Sequence, residues 1–261
     1  MKTRAFAILA LFLSCGLPAQ EVAFPTPDSL ITRAVAAAKA QAERNWQYTY
    51  REDHTQTHLD KKGIPGTLET RTYDHIMLEG SQYKKLVLVD GRPLDPKTQK
   101  KVDADLEKAR AERRRAPHLS RHFSVSLGTL ELVLKLFDNK VTAREIVNGR
   151  TAWKMESEPK PGIKPANKQE EEMLASRRTN WFDEQDGHRV RELIEFQHSA
   201  SAFQPGTIFD LQFALHGEEW LVNDMRMHAS LKAAFIRDRL ESHQHYYDYK
   251  RFEAESTFTP Q

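Results

Sequence analysis

The most constraining feature of this chain is a change of period. In two runs near the C-terminus, bulky apolar side chains recur at every second residue. Phe209, Leu211, Phe213 and Leu215 alternate with Asp210, Gln212 and Ala214, and Met225, Met227, Ala229 and Leu231 alternate with Arg226, His228, Ser230 and Lys232. A period of two is the mark of strands with one apolar and one wet face. The runs are separated by short turn signals: Gln185-Asp186-Gly187, Gln204-Pro205-Gly206 and His216-Gly217. Turns that short join only antiparallel neighbours. Arg237 to Phe252 is long enough to be a last strand.

The same pattern runs upstream. Trp46, Tyr48 and Tyr50 alternate with Gln47, Thr49 and Arg51, and strands are expected over 67–79 and 83–89, with Asp90-Gly91 closing the latter. Strands are also expected over 141–147 and 151–157, around Asn148-Gly149, and over 179–183 and 188–198. Helices interrupt the pattern. From Asp28 to about Trp46, Ile31, Val35, Ala38, Ala42 and Trp46 recur at steps of three and four, the spacing of an amphipathic helix that must lie on something apolar. Pro96 to Pro117 is highly charged and reads as an exposed helix; Leu127 to Phe137 reads as a short apolar helix. Pro159 to Lys168 is a polar loop, and 169–178 a short helix. The expected fold class is α+β, mainly antiparallel β: a curved sheet or half-open β-barrel, covered by the N-terminal helix and the inserted helices near 96–121 and 159–178.

The N-terminus argues for export. Lys2 and Arg4 precede an apolar stretch, Ala5 to Cys15, closed by Gly16 and Pro18. That is the layout of a secretory signal, cut after Ala19, and it leaves residues 20–261 as one β domain. The stretch is too short to span a bilayer. Ser14 before Cys15 allows an alternative, a lipoprotein anchored through Cys15. Without Lys2 and Arg4 the 39 basic residues fall to 37 and match the 37 acidic ones. The basic balance is therefore no argument for nucleic acid. The sole Cys leaves with the signal, so disulfides and thiolate metal sites are excluded from the mature chain. The expected compartment is the periplasm.

Catalytic and metal chemistry find little support. His243 and His245 share a strand face, and the pairs His54/His58 and His118/His122 are each four residues apart. A zinc site needs three or four converging ligands, each pair supplies two, and HExxH is absent. These read as surface histidines. Glu192 falls in phase with Val190, Ile194 and Phe196 on a mostly apolar face; the ordinary reading pairs it with an arginine of a neighbouring strand. No G-x-S-x-G, P-loop or G-x-G-x-x-G is present. No cofactor and no enzymatic activity are expected. One basic concentration, Arg113-Arg114-Arg115 with Lys100, Lys101, Lys108, Arg110 and Arg121, is broken by Asp103, Asp105, Glu107 and Glu112. It reads as a solvated helix face; if functional, the 97–121 segment would meet anionic lipid head groups.

Several segments resemble the bacterial LolA/LolB/RseB-like superfamily of lipoprotein-sorting and envelope-sensing proteins. They are Val147-Asn148-Gly149-Arg150-Thr151-Ala152-Trp153-Lys154-Met155-Glu156, Asn180-Trp181-Phe182-Asp183 with its Asp186-Gly187 hairpin, Glu219-Trp220-Leu221 and Tyr249-Lys250-Arg251-Phe252. The resemblance implies an incomplete barrel whose helices lid an apolar cavity for acyl chains. The extra segments near 96–121 and 159–178 depart from it. On this reading Trp46, Tyr48, Tyr50, Phe209, Leu211, Phe213, Met225 and Met227 line the cavity, without any evident charged anchor. The function implied is a carrier or sensor of lipid or lipoprotein acyl chains. The alternative is a structural or regulatory envelope protein that has a filled barrel and a protein partner.

Overall fold

Eleven strands and four helices account for the chain in a computed structural model, which describes residues 23–45, 48–60, 62–115, 127–233 and 236–251. The expected signal at 1–19, Trp46 and the His118/His122 pair lie outside them. The helices are α1 (Pro27–Asn45), α2 (Pro96–Arg115), α3 (Leu127–Leu136) and α4 (Lys168–Leu174). The strands are β1 (Tyr48–His58), β2 (Glu69–Leu78), β3 (Ser81–Val89), β4 (Arg92–Pro93), β5 (Phe137–Val147) and β6 (Arg150–Pro159), then β7 (Ser176–Asp183), β8 (Arg189–Phe196), β9 (Ile208–His216), β10 (Glu219–Ala233) and β11 (Ile236–Arg251).

The strands form one antiparallel sheet in the order β4-β3-β2-β1-β11-β10-β9-β8-β7-β6-β5, which is not closed. Every neighbour is also a neighbour in sequence except β1 and β11, which pair along most of their length from Tyr48↔Arg251 to His58↔Leu240. Tight turns explain the local pairings. Asp90-Gly91 and Asn148-Gly149 take positive φ at both residues (49° and 70°, 51° and 79°), the conformation that two-residue hairpins require.

The helices start and dock for local reasons. Asn167 caps α4 by accepting from the Glu170 N–H, and Asp95 accepts from the N–H groups of Lys97 and Thr98 at the start of α2. Leu30, Ile31 and Ala34 of α1 are buried against Leu130, Val133 and Leu136 of α3. Beneath them lie Phe137, Val141, Trp153, Met155 and Phe182 of β5 to β7, with Met173 of α4 at the side. The buried face of α1 is thus rotated from the expected one. Ile31 is buried, but Val35 and Ala38 are only half-buried, because the partner of α1 is α3 and not the broad centre of the sheet. Near its C-terminal end α1 reaches β10, where Gln41 accepts from the Trp220 backbone N–H.

The exposed-helix reading of 96–117 holds for α2, which has no buried residue. It is nevertheless fastened. Arg113 donates to the carbonyls of Leu78, Ser81 and Gln82, and Arg110 and Arg114 pair with Glu79.

A candidate binding face on the sheet

The cross-strand register converts the alternation of the sequence into two continuous rows on one face. One row runs Met155–Asn180–Glu192–Leu211–Met225–Gln244–His54. The next runs Ser157–Arg178–Ile194–Phe209–Met227–Ser242–Gln56. A 2.9 Å hydrogen bond between His54 Nε2 and Ser242 Oγ ties the rows at their far end. The opposite face carries ion pairs that suit water: Arg177 with Glu195, Arg191 with Asp210, and Asp224 with His243 and His245.

The structure brings four of the expected cavity residues together. Phe209 opposes Met227 and Leu211 opposes Met225, in the middle of the two rows. Phe209 also packs at 6.3 Å and 5.3 Å, centroid to centroid, against Phe196 and Phe203. Tyr48 and Tyr50 lie further along the face with Tyr249, at 6.3 Å and 4.9 Å. Phe213 is separated from these groups; it packs beside Ala152, Trp181, Val190 and Trp220. All seven described members are half-buried, unlike the residues under α1 and α3 on the same sheet.

Two charged clusters flank the apolar middle. On the β1–β3 side Glu52, 1% exposed, accepts from Lys84 at 2.6 Å and is bonded to His75 at 2.7 Å. Burial alone would raise the Glu52 carboxyl, but the hydrogen bonds of His75 and Lys84 outweigh it and hold it below its ordinary value. Tyr50 stacks on His75 at 4.2 Å, and burial followed by the Glu52 charge pushes its phenol up to about 12. His54 is pulled below the usual imidazole range, chiefly by burial and then by Lys84. At neutral pH these shifts keep Glu52 charged and Tyr50 and His54 neutral.

On the β7–β8 side the sequence reading of Glu192 is answered. Arg178 donates to one of its oxygens at 2.9 Å and Arg189 lies 2.6 Å from the other. All three side chains are 8% exposed or less. Burial draws the Arg178 guanidinium below its ordinary value, Glu192 opposes this, and Arg189 adds to it. A register shift between Trp181 and Phe182 moves Val190 out of phase, so it joins Ala152, Trp181 and Trp220 instead of sharing the surroundings of Glu192. The expected arginine of a neighbouring strand is Arg178, whose phase with Asn180 and Phe182 was the available signal; the second, Arg189 on the same strand as Glu192, was not foreseen.

The described histidine pairs bond to other side chains, and His54, expected at the surface, is part-buried. His54 and His58 sit on one strand about 13 Å apart, four residues at 3.3 Å each, and bond separately to Ser242 and Asp238. His243 and His245 share Asp224. Among the described residues no group of three or more His, Cys, Asp or Glu side chains is arranged to hold a metal.

The chain is similar to several solved structures. A LolA superfamily protein from Nitrosomonas europaea is 9% identical, with 91% of this chain and 99% of that one covered and a TM-score of 0.37. An outer membrane lipoprotein-sorting protein domain from Vibrio parahaemolyticus is 10% identical over 88% and 95%, at 0.36. A DUF1329 family protein from Desulfovibrio piger is 13% identical over 89% and 95%, at 0.37. No family model matches the chain, and no curated protein matches it.

Proposed function

We propose that this protein is an exported, non-catalytic binding protein of the cell envelope, and that it holds an acyl chain of a lipid or lipoprotein against the apolar middle of its sheet. On this reading residues 1–19 are a signal peptide and 20–261 a single periplasmic unit, a half-open barrel lidded by its helices. The observation that carries the reading is the state of Phe209, Leu211, Met225 and Met227: adjacent, on one face, and each half-buried where a filled core would bury them. Tyr48 and Tyr50 lie further along the same face, whereas Phe213 packs apart from it. Burying an acyl chain gains about 0.8 kcal/mol per CH₂, so twelve methylenes contribute on the order of 10 kcal/mol before ordering costs. The flexible thioethers of Met225 and Met227 suit a chain of variable shape. On α2, the exposed Lys100, Lys101, Lys108 and Arg115 are the cations placed to meet anionic head groups at a membrane surface.

A second reading, a regulatory protein with a filled barrel and a protein partner, is favoured by the packing of Phe209 onto Phe196 and Phe203. Displacement of a fluorescent fatty acid separates the two. Acyl binding predicts displaceable probe at micromolar concentration, lost in Met227→Arg and kept in Met227→Leu. Well-folded wild-type protein without displaceable probe would leave the second reading standing alone.

A further inference from the structure

The polar end of the two rows is unbalanced. Arg178 and Arg189 are both buried, and Glu192 is the one carboxylate paired with either of them among the described residues. Among the described residues two guanidiniums face one carboxylate, an excess of one positive charge. An uncompensated buried charge is among the most expensive things a fold can carry.

Hydrogen bonding is incomplete at the same place. Among the described residues Arg178 Nε is buried without a hydrogen-bond partner, and so are both amide atoms of Asn180 and Ser157 Oγ. Asn180 is 0% exposed and Ser157 is 1% exposed. Ser157 is the cross-strand partner of Arg178, and Asn180 is the partner of Glu192, so these groups are immediate neighbours on one face. Arg178 Nε, Asn180 Nδ2 and Ser157 Oγ form a set of donors beside excess positive charge. Buried water would satisfy the donors but not the charge; an anionic oxygen satisfies both.

The cluster is also continuous with the apolar middle. Glu192 opposes Leu211, and Ile194, next along from Arg178, opposes Phe209. An amphiphile laid along the rows would place its chain on Leu211, Phe209 and the two methionines and its polar end at Asn180. We infer that Arg178, Asn180 and Ser157 bind the anionic head, a carboxylate, of an acyl ligand. This rests on the acyl-binding reading above and narrows its ligand from any acyl chain to a free fatty acid.

The test is competition against a dansyl-labelled fatty acid on the full-length mature protein, with palmitate and hexadecanol as competitors. They share a chain length and differ in the head. Palmitate is expected to displace the probe at least about tenfold more effectively, the worth of one charge-assisted hydrogen bond. Asn180→Asp is the decisive variant, because it supplies the missing carboxylate from within. It is expected to raise Tm and to lower palmitate to the level of hexadecanol. Equal displacement by the two competitors in wild type would overturn the anion site and leave the acyl-binding reading intact. Displacement by neither would remove both. A more stable Asn180→Asp that keeps the palmitate preference would show that buried water alone serves the cluster, and would also overturn it.

Discussion

Arg150 grips Asp183 with two hydrogen bonds, from Nε at 2.6 Å and from Nη2 at 3.0 Å, across the β6–β7 pair. The Asp183 carboxylate is 1% exposed and also accepts from the N–H groups of Gln185 and Asp186, which open the hairpin to β8. One carboxylate thus fixes both a strand pair and the turn beside it. Burial by itself would raise the Asp183 carboxyl, but the Arg150 hydrogen bonds and the two backbone donors outweigh it and hold it below its ordinary value. The stabilisation is then present above the unfolded value, about 3.9, and is lost as pH falls through the lower folded value. Arg150→Ala should cost about 3 kcal/mol at neutral pH, measured by urea unfolding, and much less near pH 3. A cost independent of pH would sink the electrostatic account.

Gly187 ends the same hairpin with φ of 79°, and a Cβ placed there would come 3.2 Å from Arg33 Cβ on α1. Gly217 has φ of 65° and open space around it. Gly217→Ala should therefore cost about 1 kcal/mol, for backbone strain alone. Gly187→Ala should cost clearly more, about 2 kcal/mol, since α1 must also yield. Equal losses in thermal melts would mean that the α1 contact contributes nothing.

Phe182 is 0% exposed, and its ring joins β7 to the cluster under α1 and α3. Phe182→Ala should cost about 3–5 kcal/mol, the range for large cavities in a close-packed core. Phe213→Leu, at a half-buried site, should cost less than about 1.5 kcal/mol. Chemical denaturation of both variants checks the ranking; its reversal would place the core elsewhere.

Most elements were legible because local chemistry decides them. Asp90-Gly91 and Asn148-Gly149 fix turns whatever surrounds them, and Phe209, Leu211 and Phe213 announce a half-buried strand by alternation alone. Long-range facts were not legible. Nothing near Tyr48 says that it opposes Arg251, and nothing near Val190 says that a register shift will move it away from Glu192. The site divided along the same line. The apolar partners could be read from period two, whereas the polar Arg178 and Asn180, in phase with Phe182, were not singled out as site residues.

The basic turn of α2 shows the opposite error. Arg113 faces three carbonyls at 2.9–3.0 Å instead of open water. Arg113→Ala should release α2, exposing 96–115 to limited proteolysis, while the sheet loses only about 1 kcal/mol. Deleting 96–121 should leave the β signal in circular dichroism and a cooperative melt. Collapse of either would make α2 part of the core.

The seam between β1 and β11 has a consequence for how the molecule is assembled in time. His54 and Ser242, bonded across it, are 188 residues apart in the chain. Each hairpin from β5 to β11 closes a short loop, but joining β1 to β11 closes nearly the whole polypeptide, and such closures are slow. The β1–β4 arm therefore has no template to dock on until the last strand is in place. A chain halted before β11 leaves that arm, with Tyr50 and Glu52, without the strand that joins it to the rest of the sheet.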